Sequence, residues 1–365
     1  MPIHEPVYYS DYLKLEKLLD SQFPKSAELN AECHDETLFI IVHQVYELWF
    51  KQIIHEFGSV IAIFNQNKIE EREMHQVITR LERVTKIQSI LLDQLSVMET
   101  MTPMDFLEFR DLLVPASGFQ SVQFREIEIR MGLSTKNRTS VDRDYFLGRL
   151  SPKDKSKILK TEDESSLFDL VENWLNRLPF THKDNFDFWK EFETVVNEML
   201  DQDEQTIKSN IASLPENILK IQNTNLDITR STFQSILKED LHNEEIKKGT
   251  RRLSQKATLN ALFILLYRDE PILSHPFRFL NVLMDIDQNF TTWRYRHALM
   301  AHRLLGTKIG TGGSSGHDYL KKAADNNRVY VDILNLSTFL IPRSKLPKLP
   351  KDLERNLSFY FTESD

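Results

Sequence analysis

Two histidines sit in apolar helical stripes, and they are the residues of this sequence best placed for chemistry. Phe39, His43, Tyr46 and Phe50 fall at i, i+4, i+7 and i+11, so a helix would carry all four on one face. Trp293, His297, Met300 and Leu304 form a comparable face further along. An imidazole in such a stripe is either a core group bonded to a backbone carbonyl or a cofactor-pocket group offering one donor or acceptor inside a dry cavity. Haem is the cofactor that a pair of such helices suits. A flat apolar macrocycle needs apolar walls on both sides and one neutral imidazole as a permanent axial ligand, with the opposite position open for dioxygen. His302 follows His297 by five residues, about 140° round a helix, so the two cannot easily grip one iron.

Arg110 lies one turn after Phe106 in the run DFLEFRDLL, so a guanidinium and a phenyl ring share a face. Such an arginine is either a surface or ion-paired group, or a fork that holds a substrate carboxylate by two parallel hydrogen bonds. Five of the ten glycines (306, 310, 312, 313 and 316) fall within eleven residues, concentrating backbone freedom in one place. No Gly-Lys-Ser/Thr follows and no strand-like segment precedes, which argues against a phosphate loop. A mobile loop closing over a site and a flexible linker both fit this composition. Bare-metal readings do worse: there is no HExxH, and the single Glu239-to-His242 pair is half of what a helical di-iron site requires.

Helices must position these groups, and the sequence is expected to be all-α. Its 365 residues contain only 10 Gly against 23 Phe, with long stretches free of turn residues. Apolar periodicity predicts helices over residues 35–57, 76–100, 259–267 and 279–305, and a last helix over 319–340 before a ragged Pro- and Lys-rich tail. Thr102-Pro103 caps a short helix that Pro115 stops, and Ser117-Gly118 turns the chain into the next. Between residues 135 and 250 polar stretches alternate with short amphipathic pieces, a pattern read as a helical insertion or lid within one domain. A formal charge of −8 with interleaved acids and bases disfavours a nucleic-acid partner. Cys33 alone cannot form an intrachain disulfide, which suits a reducing compartment. The N-terminus lacks a signal pattern and the longest apolar runs (38–42 and 261–267) are too short for a bilayer. A soluble, cytoplasmic chain with no membrane partner is therefore expected.

The same residues carry a family likeness. The stretches HDETLFIIVHQVYELWFKQI (34–53), ETMTPMDFLEFRDLLVPASGFQSVQFR (99–125), MDIDQNFTTWRYRHALMAHRLLGTKIGTGGSSG (284–316) and NLSTFLIPR (335–343) resemble the tryptophan 2,3-dioxygenase family. The blocks come in the family's order over nearly the whole chain. Residues 135–250 match least, and the length and middle segment resemble the eukaryotic form rather than the shorter bacterial one. The resemblance implies an all-helical haem enzyme, a homotetramer built as a dimer of dimers, with one haem b per subunit. It would add dioxygen across the indole C2–C3 bond of L-tryptophan, the first step of the kynurenine pathway, to give N-formyl-L-kynurenine. Carried over by position, His297 is the proximal haem ligand and His43 the distal histidine that meets the indole N–H. Phe39, Ile40, Ile41, Val42, Phe106, Leu113, Ala116, Ser117 and Gly118 would surround the substrate. Arg110 would bind its carboxylate and Thr311 its amino acid backbone. Tyr9 and Tyr12 match an aromatic pair that a neighbouring subunit contributes. Two departures stand out: Arg296 precedes the proximal histidine where animal members usually have Asn, and His317 stands where Tyr is common.

Overall fold

The longest apolar stripes of the sequence become its longest helices. The computed structural model describes residues 6–133, 143–179, 182–183, 186–210, 214–306 and 316–358, with backbone alone at 119, 145, 182–183 and 316–319. In chain order, the helices that frame the site and core are α1 (His34–Phe64), α2 (Glu71–Met98), α3 (Pro103–Arg110), α4 (Val122–Met131) and α5 (Leu167–Asn176). They are followed by α6 (Phe188–Ser209), α7 (Glu216–Leu237), α8 (Gln255–Leu266), α9 (Ser274–Leu305) and α10 (Gly316–Asn326). The only strands among the described residues are two two-residue pieces, His182–Lys183 and Phe186–Asp187. The all-α expectation holds. No helix among the described residues is long and apolar enough to cross a membrane.

Local chemistry sets where the helices begin and end. Thr102 Oγ1 accepts from the Asp105 N–H while the Asp105 carboxylate accepts from the Thr102 N–H, closing a capping box around Pro103 at the first position of α3. Ser166 and Asp169 repeat the device on α5. Ser121 Oγ accepts from the Phe124 N–H and starts α4. Gly132 ends α4 at φ 114°, so its own N–H reaches the Ile129 carbonyl at 2.9 Å and the Leu133 N–H reaches the Glu128 carbonyl at 2.9 Å.

Packing is densest between α9 and α2, then between α9 and α10 and between α1 and α2, so α1, α2 and α9 form the central layer. Val77, Leu81 and Val84 of α2 and Phe279, Leu280 and Leu283 of α9 are wholly buried there. The middle of the chain contributes to the same core. α5 packs on α8 and α1, burying Leu167, Val171 and Leu175, while α6 and α7 lie along one another and α7 rests on α8. A satellite cluster of Ile129, Phe146, Leu147 and Ile158 sits outside it.

Two expectations are corrected. The last helix does not run unbroken over 319–340: α10 ends at Asn326, a short helix follows over Val331–Asn335, and a 3-10 turn over Leu336–Phe339. The cause is tertiary. The buried Asp287 carboxylate of α9 accepts from the backbone N–H groups of Val329 (3.0 and 3.1 Å) and Tyr330 (3.1 Å), donors that a continuing helix would have used. The tail is not ragged over its described length either. Lys351–Leu357 is a helix that buries Leu353 and Leu357, and Tyr267 Oη donates to the Pro347 carbonyl at 2.5 Å.

Among the glycines of the described residues whose surroundings are resolved, Gly132 is one whose replacement the packing forbids outright. A Cβ there would lie 2.4 Å from Phe168 Cβ, and the left-handed backbone alone costs a non-glycine residue about 1–2 kcal/mol. Gly132→Ala should lower the unfolding free energy by more than that range in urea titration; a change below about 0.5 kcal/mol would mean that α4 ends differently.

Candidate active site

Two stripes of side chains, one from α1 and one from α9, face a single cavity of about 320 Å³. That volume lies in the range of small-molecule sites, roughly 300–1,000 Å³. From α1 come Phe39, Val42, His43, Tyr46, Glu47 and Phe50, and from α9 Trp293, His297, Met300, Ala301, Leu304 and Leu305. α3 and the corner after it supply Phe106, Arg110, Leu113, Ala116, Ser117 and Gly118. α4 closes the floor with Phe124, Arg125 and Glu128, and α10 and the turn after it add Leu320, Ala323 and Asn327.

Both cavity histidines favour the neutral form. His43 Nδ1 lies 2.7 Å from the Phe39 carbonyl, which can only accept, so a neutral ring carries its proton on Nδ1 and presents Nε2 as an acceptor. Burial lowers the His43 pKa, against the opposing pull of the Phe39 carbonyl and the Glu47 carboxylate. Phe39 lies face-tilted against His43 at 4.1 Å between ring centroids and stacks on Phe106 at 5.8 Å. An apolar, aromatic wall therefore flanks the exposed nitrogen. His297 is pushed down to about 4, first by burial and then by the positive form of His43. It is neutral throughout the physiological range, and among the described residues its ring takes no hydrogen-bond partner.

A polar frame holds the walls in register. Ser121 Oγ donates to Glu47 Oε1 at 2.6 Å and Gln123 Nε2 to Glu47 Oε2 at 2.8 Å, tying the corner after α3 to α1 one turn beyond His43. Arg294 is almost wholly buried; it donates to Glu128 at 2.8 Å and to the Asn327 carbonyl at 2.7 Å, joining α9, α4 and the end of α10. Arg296 turns away from the cavity: its guanidinium donates to the Leu92 carbonyl at 2.9 Å and lies 3.6 Å from Glu99.

This donor set suits an iron delivered inside a macrocycle better than a bare ion. No group of three or more His, Cys, Asp or Glu side chains that could hold a metal occurs among the described residues. A lone neutral imidazole bordering apolar walls, with a second neutral imidazole in the same cavity, is what a haem with one protein ligand requires. The residues present fit the group.

Of the residues singled out in the sequence, Phe39, Val42, His43, Phe106, Arg110, Leu113, Ala116, Ser117, Gly118 and His297 come together around this one cavity. Ile40 and Ile41 do not line it, and Ile41 is 43% exposed on the far side of the helix. Tyr9 and Tyr12 lie on a short helix, Tyr9–Leu13, with three-quarters of their surface exposed and no place in the cavity wall. Thr311 lies outside the described residues, as does the side chain of His317. The floor residues Phe124, Arg125 and Glu128, and Arg294 of α9, escaped sequence reasoning. The signal for the first three was the charged, partly apolar face of α4, which reads as an ordinary surface helix.

Against this geometry the comparisons with known proteins are specific. The family model described as tryptophan 2,3-dioxygenase matches residues 4–340. A protein named tryptophan 2,3-dioxygenase from Alteromonas mediterranea is 47% identical over 357 residues, 98% of each chain. One of the same name from Bdellovibrio bacteriovorus is 47% identical over 358 residues, 98% of this chain and 99% of its own. The protein so named from Dictyostelium discoideum is 44% identical over 354 residues, 97% of this chain and 88% of its own. A chain of this length with this middle segment therefore occurs in bacterial members as well as eukaryotic ones. The breadth of these matches, which span all the elements that build the cavity, makes the chain a member of the tryptophan 2,3-dioxygenase family.

Proposed function

We propose that the protein uses haem to open the indole ring of L-tryptophan with dioxygen, yielding N-formyl-L-kynurenine, and that the cavity between α1 and α9 is where this happens. The carrying observation is the pair of neutral imidazoles, His43 and His297, bordering one cavity together with the Arg110 guanidinium. His297 would hold the haem iron, since a neutral imidazole without a competing hydrogen bond keeps a lone pair available. Bound there, haem supplies the site at which dioxygen is activated, and both oxygen atoms enter the product, so no external reductant is consumed.

The chain's own residues do the binding and positioning. His43 Nε2 accepts a hydrogen bond from the indole N–H, and its Nδ1 bond to the Phe39 carbonyl fixes that tautomer before the substrate arrives. Phe39 and Phe106 give the indole a flat apolar surface and exclude water from it. Arg110, at the C-terminal end of α3, engages the substrate carboxylate, and Thr311 contacts the amino acid backbone. Arg110 would favour substrates that carry a carboxylate, because its planar fork can donate two parallel hydrogen bonds to one.

The same reading extends to assembly. The exposure of Tyr9 and Tyr12 supports a role at the cavity of a neighbouring subunit in a homotetramer, a dimer of dimers. We read residues 1–365 as one catalytic domain, with 135–250 a helical insertion whose α5 shares the common core. A cytoplasmic location suits the single cysteine.

Reduced, haem-loaded protein mixed with L-tryptophan in air should build up formylkynurenine absorbance; haem and tryptophan binding without turnover would refute the proposal. His297→Ala should remove the Soret band of the purified protein, whereas His43→Ala should retain it and lose activity. A normal Soret band in the first variant would reject the ligand assignment. Arg110→Ala should cost about 1.5–3 kcal/mol of charged hydrogen bonding, which is roughly a 10- to 150-fold rise in the tryptophan KM. Haem content should not change, and an unchanged KM would rule out carboxylate recognition by this residue. pH provides a fourth check, on the apoprotein. The unfolded His297 ring takes up its proton near 6.5 and the native one only near 4, so native stability falls as pH drops from about 6.5 towards 4. Urea midpoints should decline more steeply over this window in the wild type than in His297→Gln; parallel declines would count against a neutral, buried ring.

A further inference from the structure

The buried hydroxyl of Tyr46 and the indole of Trp293 form a chain that ends on the face of His297. Trp293 lies one turn before His297 on α9, and the two rings are parallel, 5.0 Å between centroids with planes 6° apart. The indole is held in turn. Its Nε1–H donates to Tyr46 Oη at 3.4 Å, Tyr46 Oη donates to the Leu91 carbonyl of α2 at 2.6 Å, and the Tyr46 ring meets the indole edge-on at 6.0 Å. Phe124 of α4 closes the remaining side at 5.1 Å. Side chains of α1 and α4 thus hold the indole of α9, and α2 fixes it at one remove through Tyr46.

We propose that Trp293 and Tyr46 are positioning residues for the His297 imidazole, setting its rotation by stacking where other metal-binding histidines use a hydrogen bond. A histidine ligand is ordinarily oriented by donating its second ring N–H to a carboxylate or carbonyl. His297 has no such partner among the described residues, so the flat face of Trp293 is the element that limits rotation about its side chain. The hydroxyl of Tyr46 is what stops the indole from turning: it is fixed at Leu91 and accepts from the indole N–H, which leaves Trp293 one orientation. Because Leu91 belongs to α2, and α2 packs more extensively on α9 than any other helix, the register between these helices reaches the ring plane of His297 directly. The inference rests on His297 being the haem ligand.

The test uses haem-loaded protein and three variants. Trp293→Leu removes the stacking surface, Trp293→Phe keeps a flat ring without the N–H, and Tyr46→Phe keeps the ring contacts without the hydroxyl. Resonance Raman of the ferrous state reads the iron–imidazole stretch, and transfer of haem to an acceptor protein reads its dissociation rate. In Trp293→Leu the stretch should broaden and shift, and haem should leave about 10- to 100-fold faster, the usual cost of losing an orienting partner. Trp293→Phe should recover most of the dissociation rate, and Tyr46→Phe should broaden the stretch with its haem content intact. Bands in Trp293→Leu that superimpose on the wild type would overturn the proposal. So would an equal loss of apoprotein melting temperature in Trp293→Leu and Trp293→Phe with identical haem release, which marks a packing role alone. Failure of the underlying ligand reading shows separately, as an iron–imidazole band that survives His297→Ala.

Discussion

Desolvation of two imidazoles is the constraint from which the rest of this structure follows. Packing lowers the proton affinity of His43 and His297 alike: the helices around them displace much of the solvent that would stabilise the charged form, while both rings stay open to the cavity. Keeping a ring neutral in this way demands apolar neighbours on several sides, and one helix cannot supply them. The aromatic residues of α1, α3, α4 and α9 do so together, and in doing so they shape a cavity whose walls suit a flat apolar ligand.

Such a cavity would collapse without a rigid frame, and the frame is polar. Arg294 and Glu128 form a buried ion pair that also holds the Asn327 carbonyl, and Asp287 takes the N–H groups of Val329 and Tyr330 two turns further back on α9. One buried ion pair adds little net stability by itself. Here every member has a partner, so the network fixes where α4 and the end of α10 stand relative to α9. Glu47 does the same for the corner after α3. The charged groups hold the geometry, and the uncharged ones supply the binding surface.

The division of labour among the aromatic residues follows from the same geometry. Phe39 and Phe106 stack on each other beside His43, whereas Trp293 stacks on His297 and its N–H, donating to the Tyr46 hydroxyl, links α9 to α1. Pure hydrocarbon faces therefore flank the proposed substrate position, and aromatic rings with a polar handle flank the proposed cofactor ligand. A buried Tyr or Trp needs a partner for its polar atom, and the Leu91 carbonyl provides one here.

Much of the site could be read from the sequence because helical periodicity converts directly into a shared face. The spacing of Phe39, His43, Tyr46 and Phe50, and of Trp293, His297, Met300 and Leu304, was enough to place each set on one side of one helix. The capping pattern at Thr102-Pro103 likewise fixed where α3 begins. What the spacing could not decide is whether those two faces meet, since that depends on how α1 and α9 pack on α2 across more than two hundred residues of chain. The floor from α4 was invisible for the same reason. The break after α10 was also beyond reach, because a carboxylate some forty residues earlier claims two N–H groups that local propensity would have left in a helix. The sequence determined the helices and the residue types on each face, which are short-range properties of backbone and side chain. Tertiary structure decided which faces share a cavity and where a helix must stop, because burial and long-range hydrogen bonds act between segments that no local pattern connects.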